Sequence, residues 1–360
     1  MSKIIGSIVF YLVICLGLVY FASQIDEKKN VRFYMCLIIL TLTLVSGLRH
    51  QSVGVDTSGY VDLISQLRNG YSQRLNNITE QGFISLSYFL VNVSSGYTLA
   101  LMTYALITNT LIILRLYDYK DIISFRWAVF IYYMVFYFNT FNTIRQWIAI
   151  ALIFYGTRYV GKSNLKYVLF AVLAISAHNT AIFSLLYIPL YYLSAPSKDK
   201  KVVIIKIAML IFTIISGIII YRTIVNNYRT YIRTNIYGNV SWLNILLLLF
   251  VCFIILYGKG DNAVQPDNEA VCNESISIRY ESIAFIMGIV LTLMVFFTRY
   301  ADRIGQYFLL FELVFFPYYI RKPMTRAITI IFVFSLCVYL RMFSFMSSGY
   351  GETPYIPFWM

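Results

Sequence analysis

The chain has 360 residues, of which 59% are hydrophobic and only 12% charged, and its mean hydropathy is +0.71. A soluble globular domain carries about 25% charged residues, so this composition excludes one and indicates a polytopic integral membrane protein. The excess of 29 Lys and Arg over 16 Asp and Glu then bears on orientation in a lipid bilayer, and no nucleic-acid partner is expected.

Taken in chain order, apolar runs predict spans at 4–22, 33–48, 98–114, 126–139, 143–157, 166–178, 180–194, 202–220, 240–258, 282–298, 304–320 and 327–345. The count is about twelve, plus or minus two. The first run is read as a retained helix, because no small-x-small cleavage site accompanies "MSKIIGSIVFYLVICLGLVYF" and a second span follows at once. Asp56-Thr57 can cap a short helix over 57–68. Residues 82–96 are too short to cross comfortably and are assigned as re-entrant or interfacial. The pairs meeting at Thr140 and Asn179 are expected to be bent or broken. Nearly the whole chain is embedded, so residues 1–360 are read as one all-α transmembrane bundle.

Several chemistries lack a signature. Cys15, Cys36, Cys252, Cys272 and Cys337 show no metal spacing, and there is no P-loop, GxGxxG or HExxH. No metal, nucleotide or other cofactor is expected.

The basic stretches "DEKKNVR", "RLYDYKDIISFR", "RYVGKSNLK", "SKDKK" and "RKPMTR" fall on alternate sides of the predicted spans. They therefore share one face, which is cytoplasmic by the positive-inside rule and leaves both termini outside. The outer side then holds Lys3 and ten arginines: 49, 68, 74, 145, 222, 229, 233, 299, 303 and 341. Guanidinium pairs bidentately with phosphate, whereas ammonium is a point charge. Snorkelling to lipid phosphates is the competing explanation for Arg68, Arg74 and Arg341.

Four polar clusters reach that outer face. "GLRHQSVGVDTSGY" carries Arg49, His50, Asp56 and Tyr60 and leads to "TEQGF" with Glu80. "FNTFNTIRQWIAIAL" places Arg145 and Gln146 just inside an apolar helix with no acidic neighbour, "AISAHNTAIF" places His178 and Asn179 at a helix junction, and "FFTRYADRIGQYFL" carries Arg299, Asp302, Arg303 and Tyr307. Ionisable groups at such depths cost about 2.5–3.5 kcal/mol each, which makes them functional candidates. Asp302 can instead neutralise Arg299 one turn away, and a histidine at a helix end can be a satisfied interfacial residue. Arginines with a few carboxylates and imidazoles suit a lipid-anchored diphosphate, with His178 or Asp56 as the base for an attacking hydroxyl.

These elements resemble the EpsG/Wzy family of bacterial polysaccharide polymerases. "GLRHQSVGVDTSGY" is similar to its G-x-R-x-x-x-x-G-x-D-x-x-x-Y element; "EQGFISLSYFL", "TIRQWIAIAL", "AHNTAIF" and, less strictly, "TRYADRIGQYF" follow in the family's order over roughly residues 35 to 310. The resemblance implies a GT-C-like, metal-independent, inverting glycosyltransferase with an outward-facing cavity. It would polymerise undecaprenyl-diphosphate-linked repeat units of O-antigen, capsule or exopolysaccharide at the outer leaflet of the inner membrane. A flippase and a chain-length regulator would be further partners. His178, Asp56 and Arg145 would be catalytic; Arg49, His50, Tyr60, Glu80, Gln146, Asn179, Arg299, Asp302, Arg303 and Tyr307 would bind substrate. One departure stands out: residues 221–239 are short where the family usually has a long polar outer loop. Two other activities fit the same polar residues, a flippase for the lipid-linked oligosaccharide and an O-antigen ligase.

Overall fold

The computed structural model describes residues 2–70, 80–194, 242–258, 269–293, 299–347 and 351–359. The predicted span at 202–220, the segment 221–239 with its three arginines, the basic stretch at 197–201 and Arg74 lie outside the described residues. Among those described there is no strand beyond one isolated antiparallel bridge, Arg49 to Pro357. The described residues form an all-helical structure. It divides into two compact units, Met1–Tyr155 with Val172–Asn179 and Phe316–Met360, and Gly156–Ala171 with Thr180–Phe315.

In the first unit α1 (Ser2–Asp26) packs on α2 (Val31–Gly47) and on α6 (Phe125–Ile131), while α2 lies along α5 (Thr98–Asp118). Between them come α3 (Thr57–Arg68), at the predicted position of the short helix, and α4 (Gln81–Val93), which bridges α3 to α5. Thirteen residues of α4 make about 20 Å of helix, short of a hydrocarbon core of about 30 Å. Among the described residues, helices long and apolar enough to cross are Lys3–Asp26, Thr98–Asp118 and Pro323–Phe345, with shorter apolar helices at Val31–Gly47, Gln81–Val93, Asn164–Ala177 and Trp242–Tyr257.

The break expected near Thr140 is present. After α6 the chain passes through a π turn, Tyr132–Phe136, and a 3-10 turn, Tyr137–Phe141, before α7 (Ile144–Gly156) begins. Buried hydroxyls and carbonyls in an apolar interior must find partners inside the protein. The tyrosines of this stretch do so: Tyr132 donates to Asn109 Oδ1 at 2.7 Å, Tyr133 to the Tyr11 carbonyl at 2.9 Å and Tyr137 to the Leu42 carbonyl at 2.7 Å. The second expected break is a 3-10 stretch, Asn179–Leu186, between α8 (Asn164–Ala177) and α9 (Tyr187–Ser194).

The second unit contains α9, α10 (Trp242–Tyr257), α11 (Glu269–Leu293) and α12 (Arg299–Leu309). Tyr187 on α9 ties it together, donating to the Tyr307 carbonyl at 2.7 Å with its ring 4.7 Å from that of Phe308. The predicted span 304–320 is divided: α12 stops at Leu309 and α13 (Glu312–Arg321) follows.

Two ends of the first unit differ in chemistry. At one, the α1–α2 turn meets the α5–α6 loop, where Asp26 accepts the backbone N–H groups of Phe125 at 2.8 Å and Arg126 at 3.2 Å. Arg321 donates there to the carbonyls of Lys120 and Asp121, just before α14 (Pro323–Ser347). Three of the five basic stretches thus gather at one end. At the opposite end the C-terminal segment folds back over the start of the first motif. Phe358 N–H donates to the Leu48 carbonyl, His50 N–H to that of Ile356 and Gly54 N–H to that of Gly351, each at 2.8 Å.

Arg341 and Glu352 anchor that return. The Arg341 guanidinium is 3% exposed, meets Glu352 Oε1 at 3.1 Å and donates from Nε to the Met134 carbonyl of the π turn at 3.0 Å. Arg341 therefore faces the protein interior and not lipid phosphates. Glu352→Ala leaves a buried cation without its carboxylate, a change worth about 3–5 kcal/mol. We expect a large drop in the melting temperature of the detergent-solubilised protein. Melting at the wild-type temperature would show that the pair does not hold the C-terminal segment.

Candidate active site

Segments far apart in sequence meet at the end of the first unit opposite the basic loops. Glu80, the residue before α4, accepts Arg145 Nη1 at 2.8 Å on Oε2, and its Oε1 lies 3.1 Å from His178 Nδ1. Arg145 stands in the first turn of α7 and His178 directly follows α8. The side chains of Glu80, His178 and Arg145 are 8%, 12% and 27% exposed, so the pairing is largely removed from water. Arg145 also hydrogen-bonds the Tyr60 hydroxyl, and the Tyr60 ring meets Phe83 edge-on at 5.9 Å.

Two glycines make this convergence possible. A Cβ on Gly82 would sit 2.2 Å from Ser176 Oγ and 3.0 Å from the Ser176 carbonyl. The first turn of α4 can therefore lie against the end of α8 only because residue 82 has no side chain. That contact brings Glu80 to His178. Gly54 has φ +95, and a Cβ there would meet Thr57 Oγ1 at 2.5 Å and Asn142 Oδ1 at 3.0 Å. The loop consequently closes onto residues 141–142, where Asn142 Oδ1 accepts the Asp56 N–H at 3.4 Å.

The electrostatics follow from these contacts. Burial pushes the Glu80 carboxyl up, but the hydrogen bond with His178 and the charge of Arg145 outweigh it and hold it below its ordinary value. A carboxylate on Nδ1 favours the tautomer with its proton there and leaves Nε2 as the accepting nitrogen. His178 Nε2 is buried and has no hydrogen-bond partner among the described residues, so a substrate hydroxyl reaches it only if the neighbouring side chains give way. Burial raises the Tyr60 phenol, with Arg145 opposing the rise and Asp56 adding to it.

The other candidates fall elsewhere. Arg49 is 1% exposed. Its guanidinium donates to the carbonyls of Ser46, Val53 and Phe141 and to the hydroxyls of Ser46 and Thr57, and it lies 4.6 Å from the Phe141 ring centre. That is the position of a tie between α2, the loop and the turn before α7. His50 turns its Nδ1 to Ser52 Oγ at 2.9 Å. Asp56 is exposed at the start of α3, without a side-chain cap bond. Gln146 is buried beside Arg145 and Asn179 is exposed beside His178.

In the second unit Asp302 accepts Gln306 Nε2 at 3.2 Å, while Arg303 is exposed and Tyr307 is buried with its hydroxyl 3.2 Å from Thr180 Oγ1. Arg299 opens α12, and its side chain lies outside the description. Sequence reasoning named Glu80 without its pairing and overlooked Gly82. The Gly of "EQGF", adjacent to a carboxylate at a helix start, was the available signal.

The family model for EpsG matches residues 32–358. The chain belongs to the EpsG family. The match runs past residue 310 and takes in the C-terminal return over the first motif. Membership implies a membrane protein of the polysaccharide-polymerase type. No curated protein and no solved structure matches the chain.

Gly82→Ala should displace Ser176 and separate Glu80 from His178, with loss of polymer in cells at normal protein abundance. Ser176→Gly added to it removes the closest clash and should restore part of the product. No rescue by the double variant would place the defect outside this contact. A second expectation concerns acid. Because the Glu80 carboxyl is depressed in the folded protein, its pairing contributes fully above the ordinary carboxylate value of about 4.3. The contribution is lost as pH falls through the lowered native value. Melting temperature measured against pH should show an acid limb that Glu80→Gln diminishes; identical curves would refute the linkage.

Proposed function

We propose that this chain is a metal-independent, inverting glycosyltransferase that polymerises undecaprenyl-diphosphate-linked oligosaccharide repeat units. In this reading it is a GT-C-like bundle of about twelve spans in the bacterial cytoplasmic membrane. The basic loops face the cytoplasm, and the Glu80–Arg145–His178 cluster faces outward at the end of the protein where an outer-leaflet substrate would sit. The observation that carries the proposal is the placement of Glu80, which joins a cation to an imidazole whose second nitrogen is left to accept a proton.

The chemistry uses each group once. The hydroxyl of one lipid-linked unit attacks the anomeric carbon of another, forming the new glycosidic C–O bond on the face opposite the diphosphate. The bond from that carbon to the diphosphate oxygen breaks, and the lipid diphosphate leaves with the electron pair. His178 Nε2 takes the hydroxyl proton, and the imidazolium that forms is stabilised by Glu80 through Nδ1. Arg145, held by Glu80 and Tyr60, supplies positive charge for the departing diphosphate. Arg49 sets the backbone on which Asp56 and Tyr60 stand, and Asp56 is placed to orient substrate rather than to remove a proton.

Arg145→Ala and Arg145→Lys should both abolish the polymer ladder at unchanged membrane abundance, since an ammonium cannot reproduce the guanidinium fork. His178→Ala should reduce turnover about 10²–10⁴-fold while affinity for the lipid-linked unit changes little. Asp56→Asn should weaken affinity and turnover together. Purified protein with lipid-linked repeat units separates the two quantities. A His178→Ala enzyme that polymerises at the wild-type rate would sink the assignment of the base, and ATP-independent transbilayer movement of the substrate without bond formation would favour a flippase.

A further inference from the structure

At the basic end of the first unit, away from the Glu80 cluster, lies a cavity of about 340 Å³. Five cations line it, Lys28, Lys120, Arg126, Arg321 and Arg326, against two carboxylates, Asp26 and Asp121. Both carboxylates are already engaged. Asp26 accepts the first N–H groups of α6, and Asp121 pairs with Lys120 at 3.0 Å. Two of the cations are engaged as well: Arg321 donates to carbonyls of the α5–α6 loop, and Arg326 Nε donates to the Ile320 carbonyl at 3.2 Å. These build the wall.

The remaining two do not. Lys28 is exposed and acts on Asp121 only through its charge, and Arg126, 56% exposed, makes no closer contact than a long ion pair of 3.9 Å with Asp26. The cavity thus presents net positive charge that the protein itself does not neutralise. Apart from Ser124, the rest of its lining is apolar and includes Ile25, Val31, Trp127, Ile320 and Ile330. A soluble anion would use the charge and ignore this hydrocarbon surface, whereas a phospholipid uses both.

We infer that this cavity is a binding site for the phosphate headgroup of an anionic phospholipid in the leaflet at the basic end, with the upper acyl chains against its apolar lining. Lys28 and Arg126 would contact the phosphate, and Trp127 would lie at the level of the glycerol and upper chains. Basic pockets between spanning helices have this affinity for anionic headgroups. The site is separate from the polymerase chemistry and stands whether or not that reading holds.

Trp127 provides the probe, because it is one of only four tryptophans. Full-length protein carrying Trp147→Phe, Trp242→Phe and Trp359→Phe is placed in phosphatidylcholine nanodiscs doped with brominated phosphatidylglycerol or brominated phosphatidylcholine. Quenching of Trp127 by the brominated phosphatidylglycerol should exceed that by the brominated phosphatidylcholine at equal mole fraction. Lys28→Gln with Arg126→Gln should lower the preference about thirtyfold or remove it, while polymer formation in cells persists. Native mass spectrometry of the chain with its own tryptophans, comparing retained phosphatidylglycerol with and without the two substitutions, repeats the measurement without altering the indoles. Equal quenching by the two lipids, or an unchanged preference in the double variant, overturns the proposal. Displacement of the brominated lipid by soluble glycerol phosphate assigns the pocket to a free phosphate and overturns the lipid reading.

Discussion

Irregular stretches among the described residues leave backbone carbonyls in an interior that has little water to receive them, and arginine donates to several of them. Arg49 donates to the carbonyls of Ser46, Val53 and Phe141, and Arg341 to that of Met134 in the π turn. A carbonyl left unbonded in hydrocarbon costs several kcal/mol, and a guanidinium can satisfy up to five acceptors from one position. The buried charge is tolerable because it is spread. Arg341 has Glu352 beside it and Phe138 beneath it, and Arg49 lies over Phe141. The helices can break near the site because these side chains solvate the breaks.

This constraint separates three arginines of the first unit. Arg49 and Arg341 are used up by the fold, whereas a carboxylate holds Arg145 at a partly open position. Glu80 takes only one edge of it. The same carboxylate presents His178 with its other oxygen, so a single residue sets both the cation and the imidazole. In the proposed chemistry such an arrangement depends on position more than on the number of charges. The rigid contact of Gly82 with Ser176 supplies that position.

The two ends of the first unit also differ in what they present. Basic loops, a cation-lined cavity and an exposed apolar flank of α14 occupy one end. The C-terminal return, the first motif and the Glu80 cluster occupy the other. On the proposed reading the protein must keep a fixed depth in the bilayer, and an anionic headgroup held at the basic end would contribute to that. The C-terminal segment contributes at the opposite end, where its bonds to residues 48, 50 and 54 fix the loop that carries Asp56.

The amino-acid sequence alone determined the class, the helices and the polar positions. Apolar runs placed most helices within a few residues, with the breaks near Thr140 and Asn179, because hydrophobic length and helix-breaking junctions are local properties; the helix at 57–68 was expected from Asp56-Thr57, although the cap bond itself is not made. The ordered motifs pointed to the family for the same reason. Only the tertiary structure decided which polar residues meet. Glu80 reaches Arg145 across 65 positions and His178 across 98, distances at which no periodicity carries information. The arginine count likewise could not separate Arg49 and Arg341, which serve broken backbone, from Arg145, because a guanidinium has the same chemistry for a carbonyl as for a phosphate. Its partner is chosen by packing.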